Sequence, residues 1–159
     1  MTYTGNVTVG GTADVRELSH LVVSKLAVGP YNNNSYLRRC TRTGEQLLVD
    51  AAAEPERLLE LVGDDGLATV VTTHAHRDHW QGLAEVVAAT GATTIAHEAD
   101  APDIDVTIDV TVADGATITV GDVELRAIHL VGHTPGSIAL LYDDPTGPPH
   151  LFTGDCLFP

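Results

Sequence analysis

Three histidines and an aspartate fall within six residues in the run Thr73-His74-Ala75-His76-Arg77-Asp78-His79-Trp80. Imidazole and carboxylate are the usual protein ligands of zinc, iron and manganese. Four such groups this close either converge on a common space or crowd one another for no gain. Leu67–Thr72 before the run reads as a buried strand, and Gln81–Thr90 after it reads as an amphipathic helix. The cluster is therefore expected on a strand-to-helix loop at the end of a sheet, where side chains converge. His74 and His76 are two apart, so they can project to the same side as the strand leaves the sheet.

Two later segments narrow the chemistry. Gly132-His133-Thr134-Pro135-Gly136-Ser137 comes first and Thr153-Gly154-Asp155-Cys156-Leu157-Phe158 follows it. His-x-His-x-Asp-His, Gly-His-Thr-Pro-Gly-Ser and Thr-Gly-Asp, in this order, resemble the metallo-β-lactamase-fold hydrolases, and within them the glyoxalase II and persulfide dioxygenase group. The resemblance runs from about Val22 to the C-terminus.

The resemblance implies an α/β (α+β) domain of the αββα sandwich type, two sheets face to face with helices outside. It also implies a ligand set. His74, His76 and His133 hold a first metal, Asp78 and His79 a second, and Asp155 bridges both, since each carboxylate oxygen can hold one cation. Two zinc ions are implied for the complete domain, with iron or manganese as alternatives. Paired ions roughly 3.5–4 Å apart lower the pKa of a shared water and polarise a substrate carbonyl. The implied reaction is thioester hydrolysis by metal-bound hydroxide, of the hydroxyacylglutathione-hydrolase kind, with Asp78 orienting the hydroxide. Asp at position 155, where the antibiotic-hydrolysing zinc β-lactamases have Cys, and His79 in the first motif point away from β-lactamase activity. His76 stands where flavodiiron proteins carry Glu. An alternative is a mononuclear Fe(II) persulfide dioxygenase using His74, His133 and Asp155. A third reading is an inactive fragment or metal-binding interaction module.

Other residues take supporting parts. Asp50, closing the Leu47-Leu48-Val49 strand, either orients a ligand histidine from behind or simply forms a turn. His129, four before His133, is a candidate for the same orienting role. Gly132 and Gly136 free the backbone around His133. Arg77 and Trp80 flank the ligands and either line the mouth or pack. Cys156 reads as a small packed residue, and His20, His97 and His150 as surface or core residues.

The elements that must position these groups follow from periodicity and turn chemistry. Strands are expected at His20–Ala27, Ser35–Cys40, Gln46–Asp50, Ala68–Thr72, Thr93–Ala96, Thr117–Val120, Val123–Leu130, Ser137–Tyr142 and His150–Thr153. Gly121-Asp122 forms a hairpin turn, and residues 143–149, rich in Asp and Pro, form a second turn. One helix starts at Pro55, carries Leu58, Leu59, Leu61 and Val62 and ends at Gly63; another carries Leu83, Val86 and Val87 and ends at Gly91. No repeat or linker interrupts residues 1–159, so a single domain is expected. The chain stops at Pro159, and no histidine follows Asp155. Family members continue through a helix, a strand and a Pro-Gly-His segment carrying a sixth ligand, so the chain reads as C-terminally truncated.

Composition fits this picture. A length of 159 residues with 43% hydrophobic content supports a buried core. The formal net charge is −14, and Lys25 is the one lysine. Phosphate contacts need Lys and Arg, so a small-molecule substrate is expected, with neither nucleic acid nor an anionic membrane as partner. No apolar run is long enough to span a bilayer, and the polar start is no signal peptide. With Cys40 and Cys156 alone and no Cys-x-x-Cys pair, a reduced, cytoplasmic protein is expected. Nothing in the sequence specifies an oligomeric state.

Overall fold

The computed structural model describes residues 2–153; Asp155 and Cys156 lie outside them. The described residues form a seven-stranded sheet, in strand order, from β1 (Asp14–Glu17), β2 (Leu21–Val28), β3 (Asn33–Cys40), β4 (Gln46–Val49), β5 (Thr69–Val71), β6 (Thr93–His97) and β7 (Val110–Val112). A second, four-stranded sheet has the order β11 (His150–Phe152), β10 (Ile138–Tyr142), β9 (Val123–His129), β8 (Thr117–Val120).

Burial follows from the way each strand reads. β4 is buried at all four positions, as suits a central strand covered on both faces. β9 alternates, with Val123, Leu125 and Ala127 buried and Glu124 and Arg126 exposed, so one face meets the core and the other meets water. Two apolar clusters result. One lies between the sheets and joins Leu21, Leu47, Val71, Ile118, Leu125 and Leu140. The other joins the far face of the larger sheet, through Leu48 and Val70, to the two helices, through Leu58, Val62, Leu83 and Val86. The described residues thus build a helix layer and two sheet layers of the expected sandwich.

Helix α1 (Pro55–Val62) opens on Pro55, whose missing N–H costs nothing in a first turn, and closes at Gly63, whose N–H reaches the Leu59 carbonyl. Helix α2 (Leu83–Thr90) closes at Gly91, φ 70°, with its N–H on the Val87 carbonyl. It starts two residues later than the sequence suggests. Residues Arg77–His79 instead form a 3-10 turn, and the Gly82 N–H is tied to the Ala51 carbonyl at 2.9 Å.

Direction decides where the site falls. β4, β5 and β6 run parallel to one another. Their carboxyl ends therefore lie at one edge of the sheet, where ligands commonly bind in open α/β sheets. Asp50 follows β4, the histidine run follows β5, and His97 to Asp100 ends β6. From the second sheet, the β9–β10 connection brings residues 130–137 to the same edge, and the Ile138 N–H bonds the Thr73 carbonyl at 2.9 Å.

Candidate metal centre

His74 sits at the middle of the cluster. Its ring centroid lies 4.9 Å from His76, 4.2 Å from His79 and 4.8 Å from His133. His74 and His79 are buried and form the floor, whereas His76 and His133 are exposed and frame the opening. His76 Nδ1 and His133 Nε2 are 2.8 Å apart. Two ring nitrogens that close need a proton or a cation between them, because facing lone pairs repel.

Asp50 sets the floor. It follows β4 with φ 60°, a left-handed conformation that Asp tolerates better than most residues. Its Oδ1 accepts the Thr73 N–H at 2.7 Å, and its Oδ2 accepts the Thr73 hydroxyl at 2.8 Å. The same Oδ2 lies 2.8 Å from His79 Nδ1. A carboxylate only accepts, so His79 Nδ1 carries its proton and Nε2 presents a lone pair to the cluster. The Thr73 proton is committed to Asp50, so at 3.0 Å from His74 Nδ1 the Thr73 hydroxyl accepts. His74 therefore has the same tautomer, with its proton on Nδ1.

Two sets of donors lie within 4.8 Å of one another: His74, His76 and His133, and Asp50, His74 and His79. Donors around one zinc ion, at Zn–N of roughly 2.0–2.1 Å, lie at most about 4.2 Å apart. In a tetrahedral site the spacing is about 3.4 Å, so the first set would draw together on binding, and its three imidazoles are a donor set that a divalent metal takes. In the second set Asp50 is already engaged by Thr73 and His79, which makes it an orienting acceptor. Asp78 stands beside His79, its Oδ2 at 3.7 Å from Nε2, and accepts the Asn33 amide at 3.0 Å. Burial works against the Asp78 charge, but the Asn33 amide and the neighbouring His79 outweigh it and hold the carboxyl below its usual pKa.

The remaining sequence candidates separate clearly. His129 Nε2 lies 2.7 Å from the Pro135 carbonyl, and its ring stacks on His97 at 3.9 Å. Its imidazole thus braces the backbone of the His133 loop. Trp80 packs in the helix-side core, with its indole N–H on the Ala75 carbonyl at 2.8 Å, whereas Arg77 is exposed. Asp155, the expected bridging ligand, lies outside the described residues. One residue escaped the sequence reading. Asp100, 1% exposed, bonds both loops that carry the converging histidines, and only its place just after β6, at the same sheet edge as the histidine run, could have signalled it.

Comparison with known proteins agrees with the geometry. The model of the metallo-beta-lactamase superfamily matches residues 28–159. A hydroxyacylglutathione hydrolase of Polaromonas sp. is 39% identical over 142 residues, which cover 87% of this chain and 52% of that protein. A hydroxyacylglutathione hydrolase of Rhodospirillum rubrum is 36% identical over 146 residues, covering 89% and 54%. The chain spans about half the length of these curated relatives. Among solved structures, ETHE1 from Myxococcus xanthus superposes with a TM-score of 0.75 at 28% identity, over 86% of this chain and 58% of that one. The BLEG-1 B3 metallo-beta-lactamase superposes at 0.74 with 21% identity, over 86% and 73%, a likeness of fold alone.

Proposed function

The chain belongs to the metallo-beta-lactamase superfamily, and from that membership and the site's geometry we propose that it is a metal-dependent hydrolase acting on an acyl thioester of the hydroxyacylglutathione kind. The observation that carries the reading is the convergence of His74, His76 and His133 from two loops, with Asp50 and Thr73 fixing the tautomer of His74. The names of relatives at 36–39% identity support the thioester.

His74, His76 and His133 would hold the first divalent cation, and Asp78 and His79 a second, with Asp155 between them. When bound, such cations act as Lewis acids that polarise a carbonyl oxygen and stabilise charge developing on it. The protein's own groups then do the following. His76 and His133 lie at the exposed side of the cluster, above the buried His74 and His79. Asp50 keeps His79 from turning, through the bond to Nδ1. Asp78, kept ionised by Asn33 and His79, orients the attacking water through a hydrogen bond. The water oxygen bonds to the acyl carbon as the carbon–sulfur bond breaks, one proton of the water passes to the departing sulfur through solvent, and the other is released from the carboxylic acid product. Zinc as the metal, a reduced cytoplasmic setting and a small-molecule rather than nucleic-acid partner complete the proposal, in keeping with a net charge of −14.

The test is metal analysis with turnover. The purified chain is loaded with Zn²⁺ or Fe²⁺, its metal content per chain measured, and loss of thioester absorbance followed with a hydroxyacyl glutathione thioester. Zinc-dependent hydrolysis, lost on chelation and on Asp78→Asn, is expected. One iron per chain with oxygen consumption on a persulfide, and no thioester cleavage, would replace the hydrolase with a dioxygenase.

A further inference from the structure

Asp100 sits just beyond β6, buried, and its carboxylate accepts three hydrogen bonds. Oδ2 takes the Ala75 N–H at 2.8 Å and the Thr134 hydroxyl at 2.6 Å. Oδ1 takes the Gly136 N–H at 2.7 Å. Ala75 lies between His74 and His76, and Thr134 follows His133. One carboxylate therefore grips both loops that carry the three converging imidazoles, from opposite sheets, through the backbone and the Thr134 hydroxyl.

The neighbouring groups are built around this grip. The Thr134 hydroxyl has one proton, committed to Asp100, so Ser137 Oγ at 2.7 Å donates to Thr134 Oγ1. Ser137 Oγ in turn lies 3.2 Å from the Thr134 N–H. A Cβ at position 136 would stand 2.7 Å from both Asp100 N and Oδ1, so only glycine permits the approach. A carboxylate this buried is costly unless its lone pairs are filled, and here the filling groups all belong to the two ligand loops.

We propose that Asp100 is a positioning residue that sets the separation of the His74–His76 loop from the His133 loop and thereby the affinity of the first metal position. The role rests on the metal reading above. Loss of a group that orients ligands typically lowers metal affinity about 10–100-fold. In Asp100→Asn one oxygen becomes an NH₂, which must face an N–H or O–H that it cannot accept.

Competition with a chelator measures Zn²⁺ affinity, and the visible spectrum of the Co²⁺-loaded chain reports ligand geometry. Asp100→Asn should bind Zn²⁺ about 10–100-fold more weakly and change the Co²⁺ spectrum. Asp109→Asn serves as the control. Its carboxylate accepts the Thr94 N–H at 3.0 Å at the opposite end of β6, so it should lose stability yet keep the parent's affinity and spectrum. If Asp100→Asn does not fold, Thr134→Val should show the loss and Thr134→Ser should not. Parent-like affinity and spectrum in Asp100→Asn, or an equal loss in Asp109→Asn, would overturn the positioning role while leaving the metal site standing. A parent chain that binds neither ion would overturn the metal reading and this inference with it.

Discussion

Asp50 and Asp100 divide the work of holding the cluster. Asp50 fixes ring orientation through Thr73 and His79, whereas Asp100 fixes loop separation. The first was half legible, because an acidic residue closing an apolar strand reads equally as an orienting group or a turn former, and only the fold brings it to Thr73 and His79. The second was not, because Asp in a turn is common for local reasons, and its partners at Thr134 and Gly136 are 34 and 36 residues away. His74 and His76 were legible from their type and spacing, whereas His133 was joined to them only by the resemblance its motif carries. Arg38 shows the opposite case, a charge that the sequence places in an ordinary strand and the fold buries completely. Its Nε and Nη2 have no hydrogen-bond partner among the described residues, and burial draws its pKa down to about 9. The Phe152 ring, 3.5 Å from the guanidinium carbon, returns about 2 kcal/mol. A buried ion left with one long hydrogen bond, from Nη1 to the Tyr36 carbonyl at 3.5 Å, still costs several kcal/mol, so desolvation wins. Arg38→Met should raise stability by about 1–3 kcal/mol, read as a higher urea midpoint at an unchanged slope. A lower midpoint would show that the aromatic contacts dominate.

Strands fared unevenly at the level of elements. Those with apolar runs or clean alternation, such as β4 and β9, were readable to within a residue or two. The strands at the two edges of the larger sheet were not anticipated. β1 is Asp-Val-Arg-Glu and β7 is Val-Thr-Val. Short or charged strands at sheet edges resist further pairing, and the same traits erase a periodic signal. They exist because β2 and β6 offer them backbone partners. The expected start of α2 at Gln81 failed for a related reason. Tertiary bonds from Ala51 and the 3-10 turn at Arg77–His79 claim residues that propensity alone would give to the helix. The His133 loop carries the element-scale prediction. Gly136→Ala places a methyl 2.7 Å from Asp100, and overpacking of this kind costs roughly 1–3 kcal/mol. Thermal unfolding of the apo chain should shift down accordingly, and Zn²⁺ affinity should fall further than stability does. Unchanged unfolding would mean that the loop relaxes freely.

For the whole molecule, 22 acidic against 8 basic residues dominate. Self-repulsion of net charge destabilises a compact state, and added salt shortens its reach from roughly 10 Å at 0.1 M to roughly 3 Å at 1 M. The metal-free chain should therefore melt higher in concentrated NaCl than in dilute buffer. A gain of about 1 kcal/mol would appear as about 2–4 °C, and a fall on adding salt would point to local ion pairs such as Arg39–Asp65 and Arg42–Asp122 as the larger effect. The contact between His76 and His133 spans 57 positions of the chain, and this distance acts as a clock during synthesis. At about 5–20 residues per second, His133 emerges from the ribosome roughly 3–11 s after His76. Through that interval the nascent chain carries its first histidine loop with neither the imidazole that completes the cluster nor the β10 amide that braces Thr73. The centre cannot close until His133 has emerged, and an ion captured earlier would meet only half of its cage.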